Sequence, residues 1–419
     1  MKKKSLLEIN REVIELVQGI KILDKISWPK EVERDFFDSR LRKSKFKIDF
    51  KYPKYDFHDQ RERLEKLKKL VSSEDPLYQF TASTIESYCK SFDMIHSVGS
   101  KDFEDLSIEV YGKPTHLLFG SKYSHLETAK IFIKSLEDYE HPYMKDVQNL
   151  ISAKDLRKKL QSESTKFFGE YSPSVTLSDT LVSKAAAGKS YVRLRKGEMF
   201  TGYDHDQLLV HEIMTHSLTA INGSLQEKLP LLSMGAARTT KTQEGLATFS
   251  EIITGSLDLS RLKRICLRVI ALDMALNGAD FYELFNFFLS HNSGNEKDCY
   301  LSASRILRGG YASGGICFTK DGVYLEGLIR VHSFFRWAFK SGNLDLVHLL
   351  FCGRLDINDI FLLSPSLENG DISAPKFLPT WYTNIDLFAG KLAFSLILNG
   401  IDLDLVEKHF STKNLKAAA

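Results

Sequence analysis

Two histidines five residues apart, His211 and His216, with Glu212 directly behind the first, restrict this chain's backbone more than any other feature of it. The preceding run Gln207-Leu208-Leu209-Val210 is helical in character. On a regular α-helix, at about 100° per residue, positions five apart diverge by about 140°, too far for both imidazoles to address one point. Either the two rings are unrelated, or the backbone absorbs one extra residue as a π-type turn, a distortion enriched at functional sites. The spacing predicts a π-bulge between His211 and His216, with Glu212 beside the rings.

A second acid-bearing segment, Thr242-Gln243-Glu244-Gly245-Leu246-Ala247-Thr248-Phe249-Ser250-Glu251, lies on the next expected helix. Two imidazole nitrogens and one carboxylate oxygen are the donor set of a catalytic zinc ion, which keeps a fourth position open. Glu244 supplies the oxygen; a charge answering the helix dipole is the alternative. Gly245 beside it admits a close backbone, despite costing about 1 kcal/mol of helix propensity relative to Ala. Glu251, two turns on, shares a face with Glu244 and either accepts the outer N–H of a ligating histidine or remains surface charge. An ion there would acidify water and polarise a carbonyl, with Glu212 taking the proton and returning it to a leaving amine.

Such a site needs cations for a developing oxyanion and for a terminal carboxylate. Arg305 and Arg308 stand three apart before Gly309-Gly310, and Lys320 and Tyr324 four apart at a helix start, so each pair can face one cleft. Structural salt bridges are the alternative for all four. His205 and Tyr203 are weaker candidates.

Elsewhere the apolar residues recur at helical spacing over 5–23, 59–71, 77–97, 127–139, 152–160, 243–254, 259–276, 281–289 and 323–339. The stretch 31–55 is basic and broken by Pro53, and Gly309-Gly310 with Gly314-Gly315 brackets a flexible loop. Only 190–195, Ser-Tyr-Val-Arg-Leu-Arg, alternates residue by residue as a half-exposed strand does. The expected fold is mainly α with a small β-sheet, zincin-like, with an edge strand ahead of the active-site helix. A mainly helical region 1–118 and a catalytic region 119–419, divided near the Tyr111-Gly112-Lys113-Pro114 turn, are expected to pack together.

The net charge of +3, from 57 basic and 54 acidic side chains, gives no electrostatic case for a nucleic-acid partner. No window approaches the roughly 20 apolar residues of a membrane span, and Glu8, Asn10, Arg11 and Glu12 interrupt what would be a secretory apolar run. The five cysteines are far apart, with no metal-knuckle or redox spacing, which fits free thiols in a reducing, cytoplasmic compartment.

The combination of His-Glu-x-x-x-His at 211–216, Gln-Glu-Gly-Leu-Ala at 243–247, Arg-Gly-Gly at 308–310 and Phe-Thr-Lys-Asp-x-x-Tyr at 318–324 resembles the QEGLA-motif proteins (flavohemoglobin expression-modulating QEGLA motif proteins). These are related to the microtubule-associated tyrosine carboxypeptidases, which remove a C-terminal tyrosine from α-tubulin. The similarity is strongest over 190–335. It implies a zinc carboxypeptidase acting on peptide or protein C-termini, with a terminal residue of aromatic, tyrosine-like character, in which His211, His216 and Glu244 bind zinc and Glu212 is the catalytic acid and base. It also implies that Arg308, Lys320 and Tyr324 grip substrate. No long basic N-terminal extension of a microtubule-binding kind is present, which leaves tubulin doubtful as the substrate. Two other functions suit the same motifs: a peptidase gripping the free amine end, and a regulatory protein that kept the fold without catalysis.

Overall fold

Among the described residues helices make up most of the chain, and the named strands form two small sheets. The structure, a computed structural model, describes residues 4–398 other than 21, 43–47, 72, 138, 140–149, 182 and 292–295. Contacts divide the chain into two units, Met1–Leu378 and Pro379–Ala419, and residues 111–114 lie inside the first. Within the second unit Trp381 packs on Tyr382 and Phe388.

The apolar period at the N-terminus is split. Helix Leu6–Val17 starts under a capping box, in which Ser5 accepts from the Glu8 N–H and the Glu8 carboxylate accepts from the Ser5 N–H. It stops where Gln18 turns extended and Gly19 takes φ +83°, and a short helix, Ile22–Ile26, follows. The basic stretch after it is also helical at its start, over Lys30–Leu41. Phe36 explains why: its ring sits 5.2 to 5.4 Å from those of Phe281, Phe285 and Tyr300, so tertiary burial overrides a weak local period. That aromatic cluster belongs to a core built on helices Leu259–Leu276, Phe281–His291 and Glu296–Ile306.

The strand Tyr191–Arg195 is central, which corrects its expected edge position: it pairs in parallel with Ser174–Ser178 and antiparallel with Ala185–Ala187. Alternation reports that one face of a strand is covered, as Val192 and Leu194 are, and carries no information about lateral neighbours. The short Ala185–Ala187 strand takes an edge instead. A separate antiparallel pair, Ile151–Ser152 with Met199–Phe200, leads into the helix that carries the histidines.

The loop bracketed by the paired glycines is pinned rather than free. Gly309 donates its N–H to Ile26 and accepts from Gly99, and Cys317 donates to the buried Glu104 carboxylate. Helices Thr240–Thr254 and Val323–Ser341 cross backbone on backbone at Gly245 and Gly327: a Cβ on Gly245 would lie 2.3 Å from the Gly327 carbonyl carbon, and one on Gly327 would lie 2.1 Å from the Lys241 oxygen. Glu244 is the residue next to this contact. The five cysteines are buried and unbridged, and no helix among the described residues is long and apolar enough to cross a membrane.

Candidate metal centre

Helix Gly202–Leu208 opens under a Thr201/Asp204 capping box and continues unbroken into a π-helix, Leu209–Ser217, before returning to α geometry over Leu218–Ser224. The widened turn places both histidines on one side, as their spacing required. Side chains hold its shape. Thr215 Oγ1 donates to the Val210 oxygen five residues back (2.9 Å), Ser217 Oγ donates to the Gly188 oxygen (2.9 Å), and Arg354 Nη2 donates to the His216 oxygen (3.1 Å).

The His211 and His216 rings meet edge to face, 4.8 Å between centroids. Glu244 Oε2 lies 3.4 Å from His211 Nε2 and 3.7 Å from His216 Nε2, and donor atoms of all three residues fall within 4.8 Å of one another. In a tetrahedral zinc site with bonds of about 2.0 to 2.1 Å, neighbouring donors stand about 3.3 Å apart. The two Glu244 distances lie near that spacing, and the donor set, spanning up to 4.8 Å, fits one zinc-sized ion once its widest gap closes. Glu212 is half-buried beside them, and its carboxylate accepts no hydrogen bond among the described residues.

Glu251 is fully buried, which excludes surface charge as its role. Its Oε1 is 2.5 Å from His211 Nδ1, and it also accepts from Arg261 Nε (2.9 Å), Arg261 Nη2 (2.8 Å) and Gln207 Nε2 (3.0 Å). An anion at Nδ1 fixes the proton there and turns Nε2 toward Glu244. Burial opposes charge on His211, but its bonds to Glu244 and Glu251 outweigh that and raise it to about 10. A cation taking Nε2 must displace that proton, so metal affinity falls as pH falls.

Burial would likewise push Glu251 up, but Arg261 and His211 outweigh it and hold the carboxyl at about 2, against 4.5 for an ordinary Glu. The folded chain therefore binds fewer protons than the unfolded one between these values. The resulting stabilisation, on the order of 3 kcal/mol, is complete above about pH 4.5 and is lost as pH falls toward 2. Urea denaturation of the metal-free protein between pH 5 and 3 should show this loss, and Glu251→Gln should flatten it; an unchanged slope in the variant would contradict the assignment.

Cations form the other wall. Lys320 Nζ donates to Glu244 Oε1 at 3.0 Å. Arg305 pairs with Asp321 through Nε, and its Nη2 lies 3.3 Å from the Tyr324 hydroxyl. Arg308 is 6% exposed, yet its guanidinium donates to no acceptor among the described residues. Arg268 Nε is buried without a hydrogen bond among the described residues, 3.9 Å from Asp321. Burial and the neighbouring Arg305 push Arg268 down to about 9 and Arg308 down to about 10, and guanidinium groups stay charged at neutral pH. Arg305 and Arg268 thus share a single carboxylate, Asp321, and Arg308 has no ion-pair partner among the described residues.

His205 does not join this group; it pairs with Glu163 and Asp206, and Tyr203 is exposed. Sequence reasoning missed Arg261, Arg268, Asp321 and Arg354. Arg261 and Arg268, seven apart, share a helix face, which was a usable signal. Nothing local marks Arg354.

A two-histidine, one-carboxylate donor set with an unengaged glutamate beside it and a cation-rich wall defines a candidate hydrolytic centre. The whole sequence agrees with that class. The family model described as microtubule-associated tyrosine carboxypeptidase matches residues 34–400, and the chain belongs to that family. No curated protein matches it.

Proposed function

We propose that the protein is a zincin-like, zinc-dependent carboxypeptidase that removes the C-terminal residue of a peptide or protein. The observation that supports this most directly is Arg308, beside Tyr324 and Arg305: among the described residues its guanidinium donates to no acceptor, and a substrate carboxylate would supply one. A substrate's free amine would need carboxylates instead, and Asp321 is already paired with Arg305, so the amine-end alternative is disfavoured.

His211, His216 and Glu244 would hold the ion, and zinc when bound would supply polarisation of the scissile carbonyl and acidification of water. Glu212 accepts the water's proton and delivers it to the leaving amine. Its freedom from hydrogen bonds suits a group that must gain and lose a proton each turnover. Tyr324, held by Arg305, donates its hydroxyl toward the developing oxyanion. Arg308 grips the terminal carboxylate, Arg305 adds its charge from its pair with Asp321, and Lys320 completes the cationic wall. The intact Glu212 argues against a purely regulatory protein, and the buried free thiols suit a reducing, cytoplasmic setting. The family's description makes an aromatic terminal residue the first to test; tubulin itself is not part of this proposal.

The test is a degenerate peptide library, with free and amidated C-termini, followed by mass spectrometry. Loss of one C-terminal residue is expected, abolished by amidation and by chelation. Shortening from the amine end would overturn the carboxypeptidase assignment.

A further inference from the structure

Glu244 divides its two oxygens. Oε2 faces the histidine nitrogens at 3.4 and 3.7 Å, while Oε1 accepts from the Lys320 ammonium at 3.0 Å. Lys320 is held in place from both sides. It sits in the one-turn helix Thr319–Gly322, where Thr319 N donates to Ser107 Oγ (2.8 Å), Thr319 Oγ1 donates to the Ser107 oxygen (2.9 Å), and the next residue, Asp321, is paired with Arg305. With the lysine side chain 12% exposed and Glu244 14%, little water screens the pair.

Resting on the zinc-site reading above, we propose that Lys320 is a positioning residue for the metal ligand Glu244, trading metal affinity for Lewis acidity. By occupying Oε1 it keeps Glu244 a one-oxygen ligand and leaves a coordination position for water or substrate. Its positive charge also draws electron density from the carboxylate, so the ion is held less tightly and polarises a carbonyl more strongly. The outer partner of His211 has the opposite sign: Glu251 is an anion, makes the imidazole a stronger donor, and tightens the site. The two outer partners therefore pull metal affinity in opposite directions.

The experiment measures zinc affinity of the full chain by competition with a chromophoric chelator, without substrate, for wild type, Lys320→Met, Lys320→Arg and Glu251→Gln. Lys320→Met should bind zinc about tenfold more tightly and lose kcat with little change in KM, Lys320→Arg should restore both, and Glu251→Gln should bind about tenfold more weakly. Damage to the fold cannot produce tighter binding, which separates positioning from structural loss. Unchanged or weaker zinc binding in Lys320→Met, or a rise in KM alone as expected of a residue that only grips substrate, would overturn the inference while leaving the zinc site standing. A wild type that takes up no zinc would instead overturn the reading beneath it.

Discussion

Replacing Glu212 with Gln is expected to lower kcat/KM by about 10² to 10⁴-fold while leaving one zinc per chain. Glu212 follows His211 directly and acts on it electrostatically, is not one of the three grouped donors, and accepts no hydrogen bond among the described residues. Its removal should take away proton transfer and little else, because the amide has nearly the same shape. Zinc content by mass spectrometry and turnover of a free-C-terminus peptide check the two halves separately. Zinc lost together with activity would recast Glu212 as a ligand, and activity retained would remove it from the chemistry.

Gly245→Ala is expected to damage both the helix crossing and the ligand beside it. The added methyl would lie 2.3 Å from the Gly327 carbonyl carbon, and backbone cannot swing aside as a side chain can. The helix-propensity gain of about 1 kcal/mol from Gly to Ala is outweighed by an overpacking cost of about 3 kcal/mol or more as the helices are forced apart. Glu244 is the adjacent residue, so the same displacement carries its Oε2 away from both histidines. Thermal melts should show a lowered midpoint and a much smaller stabilisation by added zinc. A variant as stable and as zinc-responsive as the parent would show that the close crossing does not position the ligand. Gly327→Ala tests the same contact from the other helix, where the methyl would meet the Lys241 oxygen at 2.1 Å.

The site was more legible in the sequence than the fold around it. Five-residue spacing of two histidines leaves one backbone solution for a shared ion, so the π-turn over Leu209–Ser217 followed from geometry. Gly245 announced a close approach by its mere presence in a helix. Glu251 was placed on the face of Glu244 by period, but only burial decides between a buried acceptor and surface charge. The cationic wall was half visible: Arg305, Arg308, Lys320 and Tyr324 lie in one short segment, whereas Arg261 and Arg268 come from another helix, marked only by their shared face. Arg354 arrives from more than a hundred residues away, and its bond to the His216 oxygen is a product of tertiary folding alone. The same limit explains the strand misplaced at a sheet edge and the helix missed at Lys30–Leu41: alternation and propensity are local, while strand neighbours and the seat for Phe36 are not.

The central claim is that one divalent ion is shared by His211, His216 and Glu244 across a π-turn. A crystal grown with zinc and measured on both sides of its absorption edge tests it directly. A single anomalous peak is expected about 2.0 to 2.2 Å from His211 Nε2, His216 Nε2 and Glu244 Oε2. No peak there, or a peak that leaves out one of the three, would contradict it.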